Sequence, residues 1–210
     1  MKKQIFFILA LPFIFQFCFC QNASRQENLM QLENGINLHN LAENEADLNA
    51  KKDYIMEGKR ILKPLSREIP LAKAYYGSLI TIESSYFYRQ GRLIKSLECL
   101  NTGTALIDEA VKSDSENTDI RFLRIGNSYD LSRSSPKNRM KQMQEDIDFL
   151  ENRHSTLSPL EESWLELYKG LFYIESNNTN AARSAFWQCI NAAPGSLPAE
   201  KAQIKLKEIF

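Results

Sequence analysis

The sequence predicts an all-α protein of antiparallel helix pairs, stacked as a solenoid or closed into a compact helical bundle. Three observations carry this. Apolar residues recur every three or four positions almost throughout, the spacing of one helix face. No sustained alternation of apolar and polar residues, bounded by hairpin turns, interrupts that period. The polar breaks between apolar stripes are short, so successive helices must lie side by side.

The first twenty residues stand apart. Lys2 and Lys3 precede an apolar run over 5–19, interrupted by Pro12 and Gln16. A basic start, an apolar stretch and a polar segment beyond it form a secretory signal peptide. The alternative, a retained anchor, needs roughly 20 apolar residues to span a bilayer, and this run is shorter. Cleavage with Cys18 at −3 and Cys20 at −1 leaves Gln21 as the new N-terminus. A rival processing route acylates Cys18 or Cys20 and tethers the protein to a membrane. The phenylalanines before each cysteine, Phe17 and Phe19, suit that route poorly. The expected location is the periplasm or envelope of a bacterium.

Residues 21–27 are polar and read as a loose N-terminus, and 28–210 as a single helical domain. Helices are expected over 29–42 and 48–62, with Leu48, Ile55 and Leu62 one heptad apart. The following stripes are Leu71, Tyr75, Leu79, Ile82, Tyr86; Leu93, Leu97, Leu100, Ile107, Val111; Met140, Met143, Ile147, Leu150; Trp164, Leu167, Leu171, Ile174; and Ala202, Leu206, Ile209. Breaks fall at 89–91, 113–119, 132–137, 177–180 and 194–198. Ser158-Pro159-Leu160-Glu161 is a strong helix start. Serine can cap, proline suits the first helical position, and the glutamate can close a capping box.

Composition excludes several classes. The chain has 26 basic and 26 acidic side chains, and loss of Lys2 and Lys3 leaves 24 against 26. Nucleic-acid binding needs a strongly basic face, so none is expected. Past the signal only Cys99 and Cys189 remain, and both sit in apolar helical stretches as buried small hydrophobes do. Export keeps a disulfide between them possible in principle. His39 and His154 have no second ligand at metal-binding spacing, and no phosphate loop, dinucleotide fingerprint or nucleophile elbow occurs. No metal, cofactor or catalytic residue is therefore assigned.

Residues 163–196 carry the most information. Gly170, Tyr173, Ala182, Phe186 and Pro194 follow the spacing of a tetratricopeptide repeat. Gly170 and Ala182 lack bulk and let two helices approach. Tyr173 and Phe186 fill the groove between them, and Pro194 ends the second helix. The segment resembles that repeat, with a capping helix over 198–210. Glu166 and Lys169 stand where the repeat has a large aromatic and a leucine, and Trp164 and Leu167 lie two residues earlier. Residues 74–78 and 120–124 are also similar to exported bacterial proteins with tetratricopeptide-like folds, a group that brings a fold and no chemistry. The resemblance implies a scaffold that holds a peptide or another protein.

Four side chains are candidates for partner binding. Arg121 and Arg124 are three apart and share a helix face. They can clamp a carboxylate or phosphate, but an ion pair with the acids at 145, 146 and 148 is the favoured reading. Tyr75 and Tyr86 lie on the core stripe, whereas Tyr76 and Tyr88 lie off it and are the surface candidates. The expected function is an exported protein-interaction scaffold, and the alternative is a small lysozyme-like envelope hydrolase. Glu145, Asp146 and Asp148 invite the second reading, but a solvated helix face accounts for them.

Overall fold

The structure is a computed structural model that describes residues 11–209, with side chains from Arg25 onward. Lys2, Lys3 and the start of the apolar run lie outside the described residues, as do the side chains of Cys18 and Cys20. Among the described residues the chain is all-helical, with nine α-helices and no strand. They are α1 (Leu11–Asn44), α2 (Leu48–Leu65), α3 (Pro70–Arg89), α4 (Leu93–Ser113), α5 (Thr118–Ser134), α6 (Met140–Glu151), α7 (Pro159–Glu175), α8 (Thr179–Ala192) and α9 (Leu197–Ile209). A short 3-10 turn, His154–Thr156, precedes α7. No described helix is long and apolar enough to cross a membrane.

The helix ends follow local chemistry. Asp47 caps α2 by accepting from the amides of Asn49 and Ala50 at 3.0 and 2.8 Å. The expected capping box opens α7: Ser158 Oγ accepts from the Glu161 amide, and Glu161 Oε2 accepts from the Ser158 amide at 2.8 Å. At the end of α3 the Arg92 amide reaches Phe87 O and the Gly91 amide reaches Tyr88 O, both at 2.9 Å. That pair of hydrogen bonds closes the last turn only with a left-handed residue just past the helix, and Gly91 has φ +72°. Asn177, φ 57°, does the same after α7.

Helix α1 runs through residues 21–27. By packing the chain forms two compact units, 1–100 and 101–210, with the boundary inside α4.

In the first unit α1, α2 and α3 pack on one another. The core holds Leu32, Ala42, Ile55, Leu62, Leu65, Ala72 and Leu79. Small residues set the spacing: a Cβ on Gly35 would meet Leu62 Cδ2 at 2.4 Å, and one on Gly58 would meet Leu79 Cδ1 at 2.7 Å. Since α3 is covered by both α1 and α2, it buries more than one stripe, including Ala74, Gly77, Ser78, Ile80 and Thr81.

The buried face of α4 also departs from its apolar stripe. Leu93 and Leu97 face solvent, while Ser96, Cys99, Leu100, Thr104, Ile107, Ala110 and Val111 are buried. The inward face keeps the helical period but contains small polar residues, so hydrophobicity alone misplaces its first turns.

In the second unit α5 to α7 pack mutually, and α7, α8 and α9 form a further triple. The core runs from Ile125 and Tyr129 through Met143, Ile147 and Leu150 to Leu165, Leu167, Leu171, Ala182, Phe186, Cys189 and Ala202. Three of the expected stripes are thus core, with Met140, Trp164, Ile174, Leu206 and Ile209 packed at its edge.

Candidate functional site

The side chains singled out by the sequence fall into three places. The first is a buried ion network in the second unit. Arg121 and Arg124 share the α5 face toward α6, and both meet Asp146. Arg124 donates from Nε to Oδ2 at 2.6 Å and from Nη2 to Oδ1 at 2.7 Å, and Arg121 Nη1 donates to Oδ1 at 2.8 Å. Asp146 is wholly buried. Arg121 also reaches Ser115 O at 2.9 Å and lies 4.1 Å from the Phe149 ring centroid.

Two residues outside the expected pair complete the network. Arg139, in the break before α6, binds Asp108 of α4 at 2.6 and 3.1 Å. Arg124 Nη1 bridges to the same carboxylate at 3.3 Å. Burial opposes the Arg124 cation, yet Asp146 and Asp108 outweigh it and hold the guanidinium above its ordinary value. With its donors spent on two aspartates, Arg124 does structural work here.

The second place is the α7–α8 contact. A Cβ on Gly170 would lie 2.4 Å from Phe186 Cε1, and Phe186 and Ala182 have no exposed surface. Tyr173 packs at the edge of this core. Alongside runs a buried polar row. Ser163 Oγ donates to Cys189 O at 2.8 Å and lies 3.3 Å from its Sγ. Lys169 Nζ joins Glu166 Oε1 at 2.6 Å and Glu151 Oε1 at 2.8 Å. Glu166 Oε2 is buried without a partner. Burial raises the Glu166 carboxyl, and Lys169 only partly offsets it. Burial likewise raises the Cys189 thiol, which keeps it protonated. Cys99 and Cys189 are both buried free thiols.

The tyrosines divide. Tyr75 packs on the first unit's core and meets His39 edge-on at 5.0 Å. Tyr76, expected at the surface, is half-buried against the same core, because α3 is covered on two sides. Tyr88 is 66% exposed. Among the described residues no group of three or more His, Cys, Asp or Glu side chains is placed to hold a metal ion.

The third place escaped the sequence reading. A groove of about 560 Å³ opens between α8 and α9, lined by Arg183, Trp187, Ile190, Gln203, Leu206 and Lys207. Its volume is that of a ligand-sized cleft. Trp187 is 55% exposed although it follows the fully buried Phe186. The signal was present: positions 183, 187 and 190 share one helix face.

Compared with known proteins, the chain matches no family profile, no curated protein and no solved structure.

Proposed function

We propose that the protein is an exported, tetratricopeptide-like scaffold that holds another protein in the bacterial envelope and performs no catalysis of its own. One observation carries the reading. The α7–α8–α9 stack is locked internally by Gly170 against Phe186, yet it leaves the Trp187 groove open on its outer side. Solenoids bury each helix pair against the next and bind partners on the surfaces left open. A ligand-sized groove that keeps a large aromatic in solvent is such a surface. Export rests on the Lys2–Lys3 start and the apolar run that follows.

Affinity capture from native envelope, with the full chain as bait, tests the scaffold. A reproducible protein partner is expected, and capture of none by a folded bait counts against it. Mass spectrometry of the chain recovered from cells tests export, with an N-terminus at Gln21 expected and an intact Met1 contradicting it.

A further inference from the structure

We infer that the α3–α4 hairpin tip docks on an anionic phospholipid bilayer. Tyr88, Leu93 and Ile94 enter the headgroup boundary, while Arg89, Arg92 and Lys95 meet lipid phosphates. The inference goes beyond the scaffold reading and does not rest on it.

The local sequence builds the tip. Gly91 turns the chain with φ +72°, and Cys99 Sγ lies 3.9 Å from Glu83 Oε2. Glu83 and Cys99 are equally far from Gly91 in sequence, so α4 returns alongside α3 and residues 88–94 form the end of a hairpin. Residues 84–97 contain Arg89, Arg92 and Lys95 and no acid. All three cations are exposed. Among the described residues Arg89 and Arg92 are in no ion pair. Arg92 stacks on the Phe87 ring at 4.8 Å, which leaves its charge intact. Lys95 meets Glu98 at 3.4 Å across the surface, a pair of little strength. Glu83, the acid on the other flank, is held by Lys59 at 2.6 Å.

The same tip carries apolar side chains. Ile94 is 77% exposed, and Tyr88, Leu93 and Leu97 are exposed with it. Aliphatics in solvent among unpaired cations match a boundary that is apolar below and anionic at its surface. A convex tip offers a rigid partner no pocket, whereas a fluid bilayer closes around it. Tyrosine suits the depth of the headgroups. Arginine and lysine lay their stems along the apolar surface and keep their charges at the phosphates. Each basic side chain near an anionic surface strengthens adsorption roughly fivefold.

The test places a reporter at the tip of the full chain. Ile94→Trp is mixed with vesicles of equal parts phosphatidylglycerol and chain-brominated phosphatidylcholine, and with vesicles of the brominated lipid alone. Bromine quenches an indole only at close range. Quenching beyond that of the parent, whose tryptophans are Trp164 and Trp187, therefore reads the tip and not adsorption elsewhere along the chain. Excess quenching is expected with the anionic vesicles, half-saturating at a lipid concentration roughly tenfold below that of the zwitterionic ones. Arg89→Glu/Arg92→Glu in the same background should abolish that preference, and added salt should weaken it. Tyr88→Trp, on the other helix of the tip, is the second reporter and should behave alike. Circular dichroism checks that each variant is folded.

No excess quenching from either reporter in folded protein overturns the inference. So does quenching that is equal in the two kinds of vesicle or that survives Arg89→Glu/Arg92→Glu. A blue shift at position 94 on adding polyglutamate, with none on adding vesicles, would make the partner an acidic polypeptide and also overturn it. These outcomes concern the tip alone, whereas the scaffold reading fails only if the whole chain captures no protein.

Discussion

Arg124 and Asp146 form a two-point ion pair in the second unit, with contacts of 2.6 and 2.7 Å and the carboxylate wholly removed from solvent. A buried pair gains little over apolar packing, but breaking it strands a charge. Asp146→Ala leaves Arg121 and Arg124 without their shared acceptor and should cost about 3–5 kcal/mol. Arg121→Ala removes only one contact to Asp146 and should cost about 1–2 kcal/mol. Both tryptophans lie in this unit, so denaturant unfolding followed by their fluorescence reads the effect. Unchanged midpoints would show that the network contributes nothing to stability.

Gly170→Ala tests the close approach of α7 and α8. In an exposed helix the change would stabilise by up to about 1 kcal/mol. Here the new methyl meets the buried Phe186 ring at 2.4 Å, so a net loss of about 1–3 kcal/mol is expected. Phe186→Leu added to Gly170→Ala should recover part of it. Stabilisation by Gly170→Ala alone would mean that the ring yields freely.

His39 makes the first unit sensitive to acid. Its ring is buried, with Nε2 2.8 Å from Ser78 Oγ, and burial lowers its pKa against the opposing pull of Glu43 and Asn40. The unfolded chain therefore binds a proton at higher pH than the folded one. Stability should be intact above the ordinary histidine value of about 6.5 and fall as pH drops through the lowered folded value. Hydrogen exchange of α1 and α3 should show faster opening at pH 5 than at pH 7.5, and His39→Gln should flatten the difference. An unchanged pH response in that variant would assign the effect elsewhere.

Glu166 has the opposite sign. Its carboxyl is raised by burial, so the folded state holds the proton more tightly than the unfolded. Its contribution is fully present below the ordinary glutamate value of about 4.3 and declines as pH rises through the folded value. The stability of Glu166→Gln relative to the parent should therefore increase between pH 4 and pH 7. A difference that stays flat would show that Lys169 fully compensates the buried charge.

Much of the fold is legible in the sequence because helical period and turn chemistry are local. Ser158 and Glu161 close their box, Gly91 ends α3, and the small Gly170 lies against Phe186. What fails depends on neighbours. Leu93 and Leu97 have the apolar character of a core face, yet Ser96 and Thr104 are the inward residues of α4. Tyr76 lies off the expected stripe and is half-buried because two helices flank α3. The three acids at 145, 146 and 148 are equivalent in a linear reading, and only packing selects Asp146. Asp108 and Arg139 come from separate segments, so nothing local announces their pairing. Trp187 has the spacing of a groove residue, but only the α8–α9 packing shows that it remains open.

If the proposed scaffold holds another protein, site-specific photocrosslinking in the cell captures that protein. A benzophenone amino acid would replace Trp187 in the full-length protein, with Tyr88 as a second exposed position. A discrete adduct with one other protein is expected from position 187. A folded, exported protein that yields no adduct from either position would contradict it.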